Sequence, residues 1–160
     1  MARAAWLFVL PTALLLSGCV VAPPYPGPPP PPDISAGPQL INNASGECLD
    51  VQGGGAAEGT PLILFHCHGS PNQTWTVGNN QIVGIAGTCL DVQGAAPVDG
   101  APAVLAHCNG SPSQRWRFAG SAIVGIGGKC LDVLDEGRGD RTPVILTPCR
   151  GAPGQRWSVQ

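Results

Sequence analysis

Two kinds of apolar pattern run along the chain. The first is a single block, Trp6 to Leu16 (WLFVLPTALLL), broken by Pro11 and Thr12. It is far shorter than the roughly 20 residues that a bilayer span needs. With Arg3 ahead of it, the block has the layout of the h-region of an export signal. The second kind fills Gln39 to Gln160 and consists of stretches of three or four apolar residues between Gly, Pro and polar positions. Short strand signals centred on Ile41, Ile82 and Ile123 come first, and Cys-Leu-Asp-Val follows at 48–51, 89–92 and 130–133. Apolar runs come next, at Leu62-Ile63-Leu64, Ala103-Val104-Leu105 and Val144-Ile145-Leu146. Runs this short, bounded by turn residues, predict β-strands.

These stretches recur with one period. Cys48, Cys89 and Cys130 are 41 apart, as are Cys67, Cys108 and Cys149, Gln73, Gln114 and Gln155, and Trp75, Trp116 and Trp157. About four strands per repeat give an all-β body of twelve. A period near 41 also suits a propeller blade, but propellers need about four to eight blades and three are present. Three four-stranded units closing on a pseudo-threefold axis make a β-trefoil. No unit can bury its apolar face alone, so the Trp of each Gln-x-Trp and the apolar runs should share one core.

Composition narrows the function. Gly (23) and Pro (18) make about a quarter of the chain, which disfavours long helices. Hydrophobic residues at 43% exclude disorder throughout. Charged residues are only 11% and the net charge is −2, which argues against a nucleic-acid partner. Seven Cys in so short a chain indicate an oxidising compartment. Six of them pair by repeat symmetry, Cys48–Cys67, Cys89–Cys108 and Cys130–Cys149, each closing a loop worth roughly 3 kcal/mol. Zinc at His66-Cys67-His68 is the competing assignment. The equivalent triplets are His107-Cys108-Asn109 and Pro148-Cys149-Arg150, so the repeat keeps the Cys and not the His. No metal or other cofactor is expected.

The seventh is Cys19. Leu16-Ser17-Gly18-Cys19 resembles the lipobox of bacterial lipoproteins. The resemblance implies cleavage after residue 18 and lipidation of Cys19, with the acyl chains anchoring the protein in a membrane. Val20 is not Asp, which in a two-membrane host implies the outer membrane. Residues 20–38 hold nine of the eighteen prolines and favour an extended polyproline II rod reaching on the order of 60 Å. The expected organisation is a signal over 1–18, the lipidated Cys and Pro-rich tether over 19–38, and the trefoil over 39–160. Its repeats cover about 39–79, 80–120 and 121–160.

Cys-Leu-Asp-Val, then Cys-x-Gly and Gln-x-Trp, three times over, resembles the ricin B-chain lectin family. That resemblance implies a β-trefoil with a shallow sugar pocket in each repeat. A carboxylate takes two hydroxyls, an aromatic two residues before the second Cys stacks on the ring, and an Asn before the Gln bonds another hydroxyl. The first repeat has Asp50, Phe65, Asn72 and Gln73, although Ile63 stands where a polar residue is common. The second keeps Asp91 and Gln114 but has Ala106 and Ser113; the third keeps Asp132 and Gln155 but has Thr147 and Gly154. One sugar site is expected in the first repeat, with the other two weak or dead.

Catalysis is not expected. Glycoside hydrolysis needs two carboxylates facing across a cleft, and Asp50, Asp91 and Asp132 should lie one per lobe. The trefoil accounts for the exported chain, which leaves no separate catalytic domain. The function read from the sequence is therefore a membrane-anchored envelope lectin whose partner is a glycan or polysaccharide. The alternative is a protein-interaction or structural envelope lipoprotein whose sugar sites have decayed.

Overall fold

A computed structural model describes residues 37–160. The signal, Cys19 and most of the tether therefore lie outside the described residues. The described part is all-β, with twelve strands and short 3-10 turns. The first repeat contributes β1 (Leu40–Asn42), β2 (Cys48–Val51), β3 (Leu62–Phe65) and β4 (Thr76–Gly78). The second contributes β5 (Gln81–Val83), β6 (Cys89–Val92), β7 (Ala101–Ala106) and β8 (Arg117–Ala119). The third contributes β9 (Ala122–Val124), β10 (Cys130–Val133), β11 (Val144–Thr147) and β12 (Trp157–Val159).

All pairings between these strands are antiparallel. Within each repeat the second strand lies between the first and the third. Consecutive repeats join through the hairpins β4–β5 and β8–β9, and β12 returns to pair with β1, so the last repeat closes on the first. Between repeats, β11 pairs with β7, and single bridges link Pro61 to Val104 and Ile63 to Pro143. The third strands of the three repeats thus meet one another. This is the β-trefoil that the repeat arithmetic predicts.

Cys-Leu-Asp-Val works as a strand because its side chains alternate between two faces. Leu49 and Val51 point into the shared core, as do Leu90 and Val92, and Leu131 and Val133. Leu64, Leu105 and Leu146 meet them there with Trp75, Trp116 and Trp157. Each indole N–H donates to a backbone carbonyl in its own repeat, Leu49, Leu90 or Leu131, at 2.9–3.0 Å. A buried indole left without that partner would lose a hydrogen bond in a dry site. The Trp is therefore a core residue with a fixed polar anchor. The other face of the strand carries the Cys and the Asp. The three disulfides are Cys48–Cys67, Cys89–Cys108 and Cys130–Cys149, with S–S separations of 2.03, 2.01 and 2.02 Å.

The period fails at one place. The strand centred on Ile41 forms, but Leu40, not Ile41, is the core residue equivalent to Ile82 and Ile123. Leu40 pairs with Val159 as Ile82 pairs with Val77 and Ile123 with Phe118. The cause is one extra residue in the turn before Cys48: Ile41 opposes Cys48, whereas Val83 opposes Cys89 and Val124 opposes Cys130. Asn42 absorbs the insertion. Its side-chain oxygen accepts from the Ala44 and Ser45 N–H groups, and its amide nitrogen donates to the Gly154 carbonyl. A one-residue offset in a strand exchanges its two faces, so the buried position moves with it.

Candidate functional site

The outward face of the β2–β3 hairpin supports the candidate site. Cys48 stands opposite Phe65 and Asp50 opposite Ile63, so Phe65 is the diagonal cross-strand neighbour of Asp50. The 3-10 turn Pro71–Gln73, with Pro at its first position, brings Asn72 and Gln73 across to the same carboxylate. Asn72 Nδ2 donates to Asp50 Oδ2 at 2.9 Å, and Gln73 Nε2 donates to the same oxygen at 2.8 Å. His68 Nε2 lies 3.4 Å from it. Asp50, Phe65, Asn72 and His68 line an open cleft of about 440 Å³, with Gln52, Gly53, Gly54, Ile63 and Arg141 completing its walls. Phe65 is half-buried, with its ring centroid 4.4 Å from that of His66 and 5.9 Å from that of His68.

Gln73 has a different position from its neighbours. It is fully buried, and its amide is saturated: Nε2 also donates to the His66 carbonyl, while Oε1 accepts from the His68 and Gly69 N–H groups. A primary amide has two donors and two lone pairs, and all four are used. Gln73 therefore fixes the loop after the second Cys and holds Asp50 in place. Gln114 and Gln155 repeat this arrangement around Asp91 and Asp132.

The three carboxylates differ in what remains available. Asp91 Oδ1 accepts from the Val92 N–H at 2.7 Å, and Asp132 Oδ1 accepts from the Val133 N–H at 2.8 Å. Their Oδ2 atoms take the Gln amides, and Asp132 Oδ2 also accepts from the Thr147 hydroxyl. Asp50 Oδ1 accepts from none of the described residues, and it is not sealed from solvent. In the second repeat Ala106 replaces the aromatic, and Ser113 is buried against Ser111. The corresponding cleft shrinks to about 260 Å³. In the third, Arg150 reaches within 3.8 Å of Asp132 and the cleft is about 180 Å³. A Cβ on Gly154 would sit 2.6 Å from Asp132 Oδ1, so the backbone there leaves no room for an Asn.

Two neighbours of the first cleft come from another repeat, and a reading of each repeat by itself misses them. The loop before β11 is clipped to β3, with the Arg141 N–H donating to the Leu64 carbonyl and the Leu64 N–H to the Thr142 carbonyl. Asp140 in that loop accepts from the His66 backbone N–H at 2.7 Å and lies 3.0 Å from its Nδ1. Both contacts with His66 hold the Asp140 carboxyl below the usual carboxylate range. Arg141 lines the cleft. The signal that could have found it is the set Gly59, Gly100 and Arg141, one position per repeat where only the third departs from Gly. The Cys67 sulfur is committed to Cys48, which removes it from any zinc ligand set at His66-Cys67-His68. A further cleft of about 370 Å³ lies beside Trp116 between Arg115 and Arg117, and it carries no carboxylate.

Comparison with known protein families matches residues 37–159 to the ricin-type beta-trefoil lectin domain. The chain belongs to the ricin-type β-trefoil lectin family. Among solved structures, this ricin-type domain is similar to a designed threefold-symmetric protein, ThreeFoil. The TM-score is 0.70 and the identity 28%, over 76% of this chain and 96% of that one. It is also similar to 1,3Gal43A, an exo-beta-1,3-galactanase from Clostridium thermocellum, with a TM-score of 0.69 and 26% identity. That similarity covers 80% of this chain and 30% of the galactanase chain, so the ricin-type domain corresponds to less than a third of that enzyme. Among curated proteins it is 50% identical over 38 residues to a probable lipoprotein, EnvE, of Salmonella typhimurium. That match takes in 24% of this chain and 22% of EnvE, so the chain spans about a fifth of that relative.

Proposed function

We propose that the domain is a non-catalytic carbohydrate-binding module whose sugar site is the first-repeat cleft. Asp50 accepts ring hydroxyls through the oxygen that the protein leaves open, Phe65 packs against the C–H face of the ring, and Asn72 bonds a further hydroxyl. Gln73 holds the carboxylate for this task. A sugar offers an apolar face and a polar rim, and the cleft matches both. The observation that carries the proposal is the open Asp50 Oδ1, set against Asp91 and Asp132, whose two oxygens are both engaged within the protein. Titration of the wild type, Asp50→Asn and Asp91→Asn with glycans selected on an array tests it. Asp50→Asn should lose binding and Asp91→Asn should keep it; the reverse pattern overturns the assignment.

Around this module the proposal sets an export signal over 1–18, a lipid on Cys19, a Pro-rich spacer to residue 38, and a trefoil from 39 to 160. The protein is then an envelope lipoprotein, at the outer membrane in a two-membrane host, and the likeness to EnvE gives limited support. Labelling cells with a radioactive fatty acid should mark the wild type and not Cys19→Ala. An unlabelled wild type ends the lipoprotein proposal.

A second function has its own support. The losses at Ala106, Ser113, Thr147 and Gly154 favour an envelope protein that binds another protein and has no working sugar site. Absence of any bound glycan on the array would select it.

A further inference from the structure

We infer that Arg141 makes the first-repeat cleft selective for anionic saccharides, those that carry a carboxylate or sulfate beside the ring that Asp50 holds. This rests on the sugar-site proposal above and deepens it.

The third repeat lends Arg141 to the first. Its backbone N–H donates to the Leu64 carbonyl at 2.8 Å, which fixes the residue at the cleft wall, and Arg141 lines the same cavity as Asp50, Phe65 and Asn72. At the two symmetry-related positions Gly59 and Gly100 adopt φ of 80° and 79°, and Arg141 holds a φ of 69° in the same left-handed region. Gly59 borders the second-repeat cleft as Arg141 borders the first, so the position faces the cleft in both. A long side chain there is disfavoured by the backbone. Ala95 and Glu136 also take left-handed conformations, so the backbone alone does not carry the inference. The guanidinium does. Among the described residues it forms no ion pair within 4.0 Å and no side-chain hydrogen bond, although Asp140 precedes it and Asp50 shares its cleft.

The third-repeat cleft supplies the contrast. There Arg150 lies 3.8 Å from Asp132, so cation and carboxylate face each other directly. In the first repeat Arg141 and Asp50 both line the cleft, and no ion pair within 4.0 Å joins them. A ligand that spans them presents hydroxyl donors to Asp50 and an acceptor to Arg141. The guanidinium fork fits a carboxylate or a sulfate through two parallel N–H donors, better than it fits a lone hydroxyl. Asp50 keeps its negative charge, so the anionic group must sit on the Arg141 side of the cleft while ring hydroxyls face Asp50.

The test uses the full chain in detergent, as wild type, Arg141→Gly and Asp50→Asn. The array presents neutral glycans beside their uronate, sialylated and sulfated counterparts. The wild type should bind the anionic member of a pair more tightly, by about tenfold as befits one charge-assisted contact at a half-open site. Raising sodium chloride should erase that preference and leave neutral binding in place. Arg141→Gly restores the residue of the other two repeats, so it should melt no lower than wild type, keep neutral glycans and lose the preference. Uronate and sialyl spots set against sulfate spots tell which anion is taken. Equal binding of both members by wild type, a preference that Arg141→Gly retains, or one that salt does not touch overturns the inference while the sugar site stands. Binding of no glycan at all overturns both, and loss of neutral binding in Asp50→Asn identifies the site independently of Arg141.

Discussion

Gln114→Met tests whether the Gln of each Gln-x-Trp is a structural clamp. Gln114 sits in the second repeat, away from the proposed sugar site, so stability is read without a binding effect. Its side chain is 0% exposed. Nε2 donates to Asp91 Oδ2 at 2.9 Å and to the His107 carbonyl at 2.8 Å; Oε1 accepts from the Asn109 and Gly110 N–H groups at 2.8 and 3.2 Å. Met has nearly the same volume and none of these groups, so no cavity term enters. Each lost hydrogen bond is worth about 1 kcal/mol net, and more where a partner stays buried and unpaired. Asp91 is 8% exposed and still holds the Val92 N–H, whereas His107, Asn109 and Gly110 are exposed and can recover water. The expected loss is therefore about 2–4 kcal/mol, below the full value for four orphaned groups. With a urea slope of about 2 kcal/mol/M, the middle of the usual range for small proteins, the midpoint should fall by about 1–2 M. The assay is equilibrium unfolding with the disulfides intact, followed by Trp fluorescence. A loss under about 0.5 kcal/mol with an unchanged slope would refute the clamp, because surface substitutions fall in that range.

Three further predictions concern other parts of the domain. Gly125→Ala should destabilise by about 1–3 kcal/mol, since the new methyl would lie 2.5 Å from the ring of buried Trp116 and overpacking of that kind carries such a penalty; a melting temperature equal to wild type would refute the close approach. The Asp140 carboxyl should titrate below its ordinary value of 3.8 because of the His66 side-chain and backbone hydrogen bonds, so its contribution to stability is present above that pH and fades as pH falls through the lowered midpoint. A carboxyl-carbon NMR titration in which His66→Ala leaves the midpoint unmoved would refute this. Grafting Ala106→Phe with Ser113→Asn should not give the second repeat the affinity of the first, because Asp91 Oδ1 remains bonded to the Val92 N–H; titration that finds equal affinity would sink the emphasis on the open oxygen.

The fold was largely legible in the sequence, because the residues that build it recur. Strands come from Cys-Leu-Asp-Val and the apolar runs, the core from Leu and Trp, and the bridges from the Cys spacing. A strict period of 41 points to Ile41 as the core residue of β1, but the turn before Cys48 is one residue longer, and Leu40 takes that place. An insertion ahead of Cys48 leaves the Cys and Trp spacing at 41, so only the register of pairing reveals it. The site was half legible. Asp50, Phe65 and Asn72 share a cleft as the resemblance implies, since β2, β3 and the Pro71–Gln73 turn belong to one repeat. Gln73 was visible as a motif residue, but its saturated amide was not, because hydrogen-bond partners are properties of the folded loop. Arg141 lies 91 positions from Asp50 in sequence. Comparing the repeats marks it as the one departure from Gly59 and Gly100 but does not place it at the first cleft, since the loop before each third strand docks on the neighbouring repeat.

That docking also explains how three similar repeats can differ so much in what they offer. The core side must stay alike, because each Leu, Val and Trp meets its symmetry mates in one cluster. The clamp must stay alike too, since every Gln accepts from two N–H groups just after the second Cys and donates to the carbonyl just before it and to the Asp carboxylate. What remains free to change is the rim: Phe65, Ala106 and Thr147 on one strand, Asn72, Ser113 and Gly154 on one turn, and Gly59, Gly100 and Arg141 on the neighbour's loop. None of these rim positions carries the shared core, so a change in one repeat leaves the others folded. The first repeat gathers an aromatic, an amide and a cation around a carboxylate with an open oxygen. The third fills the same place with its own Thr147 hydroxyl and Arg150. If the first cleft takes a sugar as proposed, its selectivity is set jointly by adjacent repeats, at the seam between the third repeat and the first.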